Sequence, residues 1–434
     1  VVDLARINVP YGRGSMGVEV PSRNLIAILR QKPVEAVSDE VMAIKKAVDN
    51  PIGCKGLSEI VKQGDKAAIA VTDMTRPCPD NKITPVLLDE LASAGIKEKD
   101  VTIVVGTGLH RPSTYDELKE KLGERVLQRV TVINHNAGDE GNLTYLGTTS
   151  QGTPVKQNTA IASADIVLAT GIIELHPVAG FSGGRKAVAI GTAGEETIKH
   201  AHRPELRENP KVGPGSIEGN IFHETLMEIS KLAGLQFIVN VLLDDEKRIS
   251  KVVAGNSVEA FREGVNLAED LYVRAVSEPA DIIISTVGGH PKDINLYHTL
   301  RAASYIVFSP RPVLRKGGII IIPSPSVEGI GMGVRQKAFY EYVTKFSNPD
   351  EVIGAIKTYK DEIGAGMAHS LARVLKHASV FIVGSETPQV AKEMFMTPVR
   401  TLDEGLEEAF RRLGKDARVL VVPNILHTLP VLEP

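Results

Sequence analysis

The segment Gly171–His202 carries more chemistry-bearing side chains than any other stretch of the chain. His176 follows an apolar run, Lys186 follows Gly183 and Gly184 with one Arg between, and His200 and His202 stand two apart. Imidazole both ligates metals and moves protons near neutral pH. A Lys in a glycine-rich turn lies where backbone can approach an anion closely, or where a cofactor can be attached. Both chemistries in one short span point to a metal- or cofactor-dependent enzyme rather than a binding module.

Other clusters add to this one. DMTRPCPD (Asp73–Asp80) sets a carboxylate three residues from a guanidinium, whose planar fork matches a carboxylate or phosphate. The bland alternative is a turn with a local ion pair. GTGLHRP (Gly106–Pro112) lacks the third glycine of a dinucleotide fingerprint, which leaves His110 as its reactive group or as a lone structural His. GFSGGRKA (Gly180–Ala187) is not a Walker A loop, because Arg185 precedes Lys186 and Ala187 follows it. Its glycines permit an anion nest, or a plain surface loop. On a helix His200 and His202 point in different directions, so one of them at most serves a given metal. A single His leaves most of the coordination sphere to a cofactor or substrate. GGHPKDINLYHTLR (Gly288–Arg301) brings Tyr297, His298 and Arg301 within a helical turn, as an anion site or as a charged surface helix.

These clusters need a scaffold. Apolar runs at Ala67–Val71, Val101–Val105, Val130–Asn134 and Ala164–Thr170 read as strands, with helical spacing at Ile83–Ala94 and Tyr115–Leu122. A long helix is expected over Ser257–Val276. Strands follow at Asp281–Thr286, Gly318–Ile322, Ser379–Val383 and Arg418–Val422, with a helix at Leu406–Leu413. The alternation predicts an α/β fold of two domains, with parallel-rich sheets flanked by helices and the active site in the interdomain cleft. The expected boundaries are 1–275 for a cofactor-binding domain and 276–408 for a second domain. A final segment, 409–434, is open to either and is placed against the first. Asp73 and Arg76, His110, and His176 each follow a strand, and open α/β sheets bind ligands outside the carboxyl ends of their strands.

Composition narrows the class. A chain of 434 residues favours two domains. A net charge of -3 provides no basic field for nucleic acid or an anionic membrane. The absence of Trp and the 4% aromatic content argue against base-stacking platforms. No apolar run reaches the roughly 18–20 residues of a membrane span. Cys54 and Cys78 form no C-x-x-C pair, which argues against structural zinc and suits a reducing cytoplasm. The first residues lack a signal-peptide pattern. The expectation is a cytoplasmic protein without nucleic-acid or membrane partners.

Taken together, DMTRP, GTGLHRP, ELHPVAGFSGGRKA, HAHRP and GGHPKDINLY resemble the motifs of the nickel-dependent lactate racemase family, in family order. The resemblance implies a nickel-pincer nucleotide, a pyridinium-3-thioamide-5-thiocarboxylic acid mononucleotide built by separate maturation enzymes. It implies covalent attachment at Lys186, and His202 rather than His200 as the protein's ligand to nickel. Asp73, Arg76, Gly183 and Gly184 would contact cofactor or substrate, and Arg76, Tyr297, His298 and Arg301 the substrate. The implied reaction is racemisation or epimerisation of a small-molecule 2-hydroxy acid by hydride transfer to the cofactor and back, with His110 and His176 as acid and base. The chain departs from the lactate enzymes with His298 for Gln, Arg301 for Lys and His290 for Tyr. Lactate therefore competes with larger, polar or dicarboxylic 2-hydroxy acids such as malate or an aldonate. Two other readings stand beside it: a zinc-dependent hydrolase using His110, His176 and His202, and a non-catalytic nucleotide- or anion-binding protein. The racemase reading gives Lys186 and the three histidines distinct roles, whereas a simple zinc site leaves Lys186 unexplained.

Overall fold

Alternating apolar side chains set the two faces of the first sheet. Ile69 and Val71 of the strand Ala67–Thr72 enter one apolar cluster, whereas Ala68 and Ala70 enter another on the opposite face. A computed structural model describes residues 3–244, 246–359 and 364–433, with the backbone alone for 356–359. The first sheet has six strands in the order Ile249–Asn256, Leu235–Leu243, Ile166–Ile172, Ala67–Thr72, Val101–Gly106 and Thr131–Asn134. All neighbours are parallel except Ile249–Asn256, which runs antiparallel to Leu235–Leu243.

The second sheet is parallel throughout. Its order is Thr397–Val399, Ser379–Val383, Leu314–Pro323, Ala280–Ser285, Val419–Val422 and Leu25–Ile28. Near-continuous runs such as Ile319–Ile322 are buried on both faces, as parallel strands covered by helices require. One apolar cluster runs from Val167 and Ile238 of the first sheet to Ile283, Ile320 and Val380 of the second. The α/β class with parallel-rich sheets flanked by helices is therefore the one expected. No helix among the described residues is long and apolar enough to cross a membrane.

Several elements differ from the sequence pattern. The helix expected over Ser257–Val276 ends at Tyr272, and Val273–Val276 is a strand paired in parallel with Leu429–Leu432. Two β-branched valines in four residues favour that extended pairing once the chain end supplies a partner. The strand Leu25–Ile28 enters the second sheet from the start of the chain, and a hairpin of Leu4–Tyr11 with Gly14–Pro21 packs Ile7, Val9, Val18 and Val20 on that sheet's core. After residue 409 the chain contributes both Val419–Val422 to the second sheet and Leu429–Leu432 to the short pairing with Val273–Val276.

A buried ion pair anchors the loop that follows Ala67–Thr72. Lys121 Nζ lies 2.9 Å from Asp80 Oδ2, with side chains 4% and 0% exposed. The same ammonium donates to Thr72 Oγ1 at 3.1 Å and to the carbonyls of Arg76 and Cys78 at 2.9 and 3.1 Å. One cation thus ties both ends of the Asp73–Asp80 loop. Lys121→Met would strand the Asp80 carboxylate in the core, and the expected cost is about 3–5 kcal/mol. Urea unfolding of the variant measures this, and Asp80→Asn in the same background should restore part of the loss.

Candidate functional site

The chain leaves Ala67–Thr72 outward to Val101–Gly106 and Thr131–Asn134, then returns to the other side with Ile166–Ile172. Strand order reverses there, and such a switch point opens a crevice beyond the carboxyl ends of the strands. A cavity of about 400 Å³ occupies that position. It is lined by Asp73, Arg76, His110, Gly183, Lys186 and His202, and from later in the chain by Tyr297, Arg335, Gly366 and Met367.

Asp73 follows the first of these strands and is almost fully buried. Its Oδ2 lies 2.6 Å from His110 Nδ1, and its Oδ1 accepts from Thr75 Oγ1 at 2.6 Å. Burial pushes the carboxyl upward, but the bonds from His110 and Thr75 outweigh it and hold it below the usual range. An anionic Asp73 accepts a hydrogen bond from His110 Nδ1–H, so the ring offers Nε2 to the cavity. Arg76 Nη1 pairs with Glu174 at 3.4 Å.

His176 has the opposite arrangement. Its Nδ1 accepts from the amides of Ala179 at 3.0 Å and Val178 at 3.3 Å, which leaves the proton of the neutral ring on Nε2. Burial, then the positive charges of Lys186 and Arg76, hold this imidazole well below its ordinary value. Tyr305 Oη donates to the Leu175 carbonyl at 3.1 Å and fixes the strand Leu175–His176 from the other half of the molecule.

Lys186 ends a short helical turn, Gly184–Lys186, and is followed by five π-helical residues, Ala187–Gly191. Single π turns often mark functional positions because they widen the backbone locally. The turn is wedged among strand ends. Gly191 and Gly106 approach so closely that a Cβ on either would sit 3.0 Å from the other's Cα. A Cβ on Gly171 would stand 2.6 Å from the Gly184 nitrogen, which donates to Asn240 Oδ1 at 2.8 Å. Burial, then the charges of Arg76 and Arg185, lowers the Lys186 amine to about 7. Among the described residues it has no ion-pair partner.

The two late histidines separate cleanly. His202 caps the helix Glu195–Ala201, and its Nδ1 donates to the Ile198 carbonyl at 2.8 Å, so the lone pair of the neutral ring lies on Nε2. Its ring meets the edge of Phe222, and burial lowers it to about 3. His200 does not line the cavity; its Nδ1 accepts from Arg203 at 2.7 Å and lies 3.0 Å from Thr153 Oγ1.

Residues 11–213 match the lactate racemase N-terminal domain, and residues 275–429 the lactate racemase C-terminal domain. The chain belongs to the lactate racemase family. A lactate racemase from Thermoanaerobacterium thermosaccharolyticum is 31% identical over 97% of this chain and 98% of its own length. One from Lactiplantibacillus plantarum is 32% identical over the same shares. The structure of the T. thermosaccharolyticum lactate racemase apoprotein matches with a TM-score of 0.87 at 32% identity, covering 98% of this chain and 100% of that one. A Thermotoga maritima protein at 18% identity covers 93% of this chain with a TM-score of 0.64 and shares the fold alone. Family members named in this way are racemases, hence isomerases.

Of the residues singled out in the sequence, Asp73, Arg76, His110, Gly183, Lys186, His202 and Tyr297 line one cavity. His176 sits beside it, near enough for Lys186, Arg76 and His202 to act on its charge. Gly184 faces Ala169 of the neighbouring strand, and His298 and Arg301 stand outside the lining. The sequence reading passed over Glu174, Arg203, Arg207 and Arg335. Glu174 lay within ELHP and Arg203 within HAHRP, whereas nothing local marks Arg207 or Arg335. Among the described residues, these three arginines with Arg76 and Lys199 make the wall strongly cationic, and its carboxylates are Asp73 and Glu174.

Two outcomes follow from this geometry. Gly171→Ala should cost about 1–3 kcal/mol, because the new methyl displaces the turn carrying Lys186; the urea midpoint reports it. His176 stays neutral in the fold while its unfolded counterpart protonates near about 6.5. The stability it lends is full above that pH and is lost as pH falls toward the depressed folded value. His176→Gln should flatten the decline in melting temperature on acidification; an unchanged slope would mean that another group governs it.

Proposed function

We propose that this chain interconverts stereoisomers of a 2-hydroxy acid, lactate or a larger polar one such as malate or an aldonate. We read the cavity as the interdomain active cleft. The observation that carries the reading is that Asp73 holds His110 through Nδ1 and leaves Nε2 to the cavity that Lys186 also lines, while His176, which Lys186 influences, keeps an N–H on Nε2. A racemase needs a group that accepts the hydroxyl proton and gives it back, and a donor that steadies the oxygen in between.

The residues fit a nickel-pincer nucleotide. Lys186 offers an amine without an ion-pair partner, Gly183 and Gly184 allow close backbone approach, and His202 offers one free ring nitrogen. Lys186 would carry the group and His202 would complete the nickel's coordination. When bound, the group supplies the hydride acceptor that protein side chains lack. Naming of the structural relative as an apoprotein agrees with a separable group. A zinc hydrolase would need three ligands together, and no group of three His, Cys, Asp or Glu among the described residues is arranged to hold a metal.

The chain's own part is then defined. Arg76 and the cationic wall bind the substrate carboxylate and hold the hydroxyl near the histidines. His110 Nε2 accepts the hydroxyl proton, and Asp73 orients the ring and stabilises the imidazolium. His176 holds the substrate oxygen through a hydrogen bond from its neutral Nε2–H, and the proton taken by His110 returns to that oxygen from the His110 imidazolium as the hydroxyl re-forms, so neither ring passes through an imidazolate. Burial keeps water away from the oxidised substrate.

Co-expression with the maturation enzymes should give a nickel-containing adduct at Lys186, read by intact mass and peptide mapping. His202→Ala should lose the nickel, while His200→Ala retains most of it. His110→Ala and His176→Ala should each slow racemisation from either enantiomer by about 10²–10⁴-fold. A fully matured control racemase alongside an unmodified chain would refute the reading.

A further inference from the structure

Arg185 is the bulkiest of the fully buried side chains among the described residues, and no carboxylate pairs with it there. Its guanidinium lies 3.6 Å from the centre of the Phe261 ring. Nη2 donates to His223 Nδ1 at 2.9 Å and to the Phe181 carbonyl at 3.3 Å, and Nη1 to the Ser182 carbonyl at 3.4 Å; Nε has no partner. The His223 ring stacks on Phe261 in turn, with centroids 5.7 Å apart. Ser230 Oγ donates to the Arg185 carbonyl at 3.1 Å. Two helices, Ile221–Leu232 and Glu259–Tyr272, therefore grip this one residue.

Burying a lone cation is costly, and an apolar side chain of similar volume usually fills such a space at no loss of stability. Stability alone does not account for Arg185. Its position suggests what does: it holds the two carbonyls that lead into the turn of Lys186, and it is the next residue in the chain. A Cβ on Gly183 would stand 3.1 Å from the same Phe261 ring, so ring, glycine and guanidinium define the turn together.

We propose that Arg185, seated on Phe261 and tied to His223, is a positioning residue that fixes the turn from which Lys186 enters the cavity and so determines loading of the chain at that amine. Its charge acts in the same direction. The amine is faced by Arg76 and Arg185, by Asp73 and Glu174, and by His176 and His202, and burial with the two arginines outweighs the two carboxylates. A buried cation that no carboxylate neutralises favours the unprotonated amine, the form able to make a covalent link. The identity of the attached group rests on the function proposed above; the state of the amine does not.

Two readouts on the full-length chain test this. Without maturation enzymes, Lys186 is acylated with the N-hydroxysuccinimide ester of acetic acid across pH, and modification is read by peptide mass. The unaltered chain should reach half its limiting rate at a pH of about 7. Arg185→Met should move that midpoint to higher pH, and Arg185→Lys should leave it low. With maturation enzymes, Arg185→Met, Arg185→Lys and Phe261→Leu should each carry about 10–100-fold less adduct, at melting temperatures close to the parent's. Loss of loading in Arg185→Lys with an unmoved acylation midpoint separates position from charge. Parental loading and parental midpoint in Arg185→Met would overturn the proposal; if that variant fails to fold, parental loading in Arg185→Lys and Phe261→Leu overturns it equally. An unmodified parent chain beside a loaded control would sink the functional reading, and the acylation midpoints would still decide the role of Arg185.

Discussion

The contact of backbone on backbone at four glycines is the constraint on which the site depends. Gly171 lies against Gly184, and Gly106 against Gly191, with no room for a Cβ between either pair. These contacts let the segment from Gly183 through the π turn lie directly across the ends of Val101–Gly106 and Ile166–Ile172. Only then do three strand-end loops, distant in sequence, present Asp73, His110 and Lys186 to one volume. A Cβ at Gly171 would stand 2.6 Å from backbone and force the Lys186 turn to shift, and one at Gly106, Gly184 or Gly191 would press on backbone at 3.0–3.1 Å.

Electrostatics then sorts what geometry has gathered. Among the described residues the wall holds more fixed positive charge than negative, and burial removes the water that would screen it. A further proton is therefore unwelcome: His176 and His202 stay neutral and the Lys186 amine falls to about 7. His110 is different because Asp73 faces it at 2.6 Å. The same cationic surroundings suit an anionic ligand, and one imidazole among them is backed by a carboxylate. Hydrogen bonds on the far nitrogen of each ring fix which nitrogen is offered: a carboxylate for His110, a carbonyl for His202, amides for His176.

What the sequence made legible follows from how local each signal is. Ser379–Val383 and Tyr115–Leu122 were readable to the residue, because the first is a buried apolar run and the second has a Thr114–Glu117 capping box. Leu25–Ile28 escaped, since four partly exposed residues become a strand only through a partner almost four hundred positions away. The site shows the same division. Motifs brought out Asp73, His110, Lys186 and His202, each placed by its own strand or helix end. Arg207 and Arg335 reach the cavity through packing of distant helices, and no spacing rule encodes that. Arg185 was visible only as the residue that spoils a Walker A loop, and its stacking on Phe261 depends on a helix that begins more than seventy residues later.

The departures at positions 298 and 301 carry different weight once placed. A His at 298 promises extra positive charge on paper, but burial, then the charges of Arg301 and Lys292, lowers it to about 4. It is neutral at physiological pH and contributes hydrogen bonding rather than charge, with a buried Nδ1 that has no protein partner among the described residues. Arg301 keeps its cation and acts on His176 from the second half of the chain. Tyr297, between strand end and cavity, is the member of this trio that reaches the lining. This segment therefore meets the cavity through the shape of Tyr297 and the field of Arg301, while His298 alters the polarity behind them. A changed residue near a site changes its chemistry only in the protonation state that the fold allows.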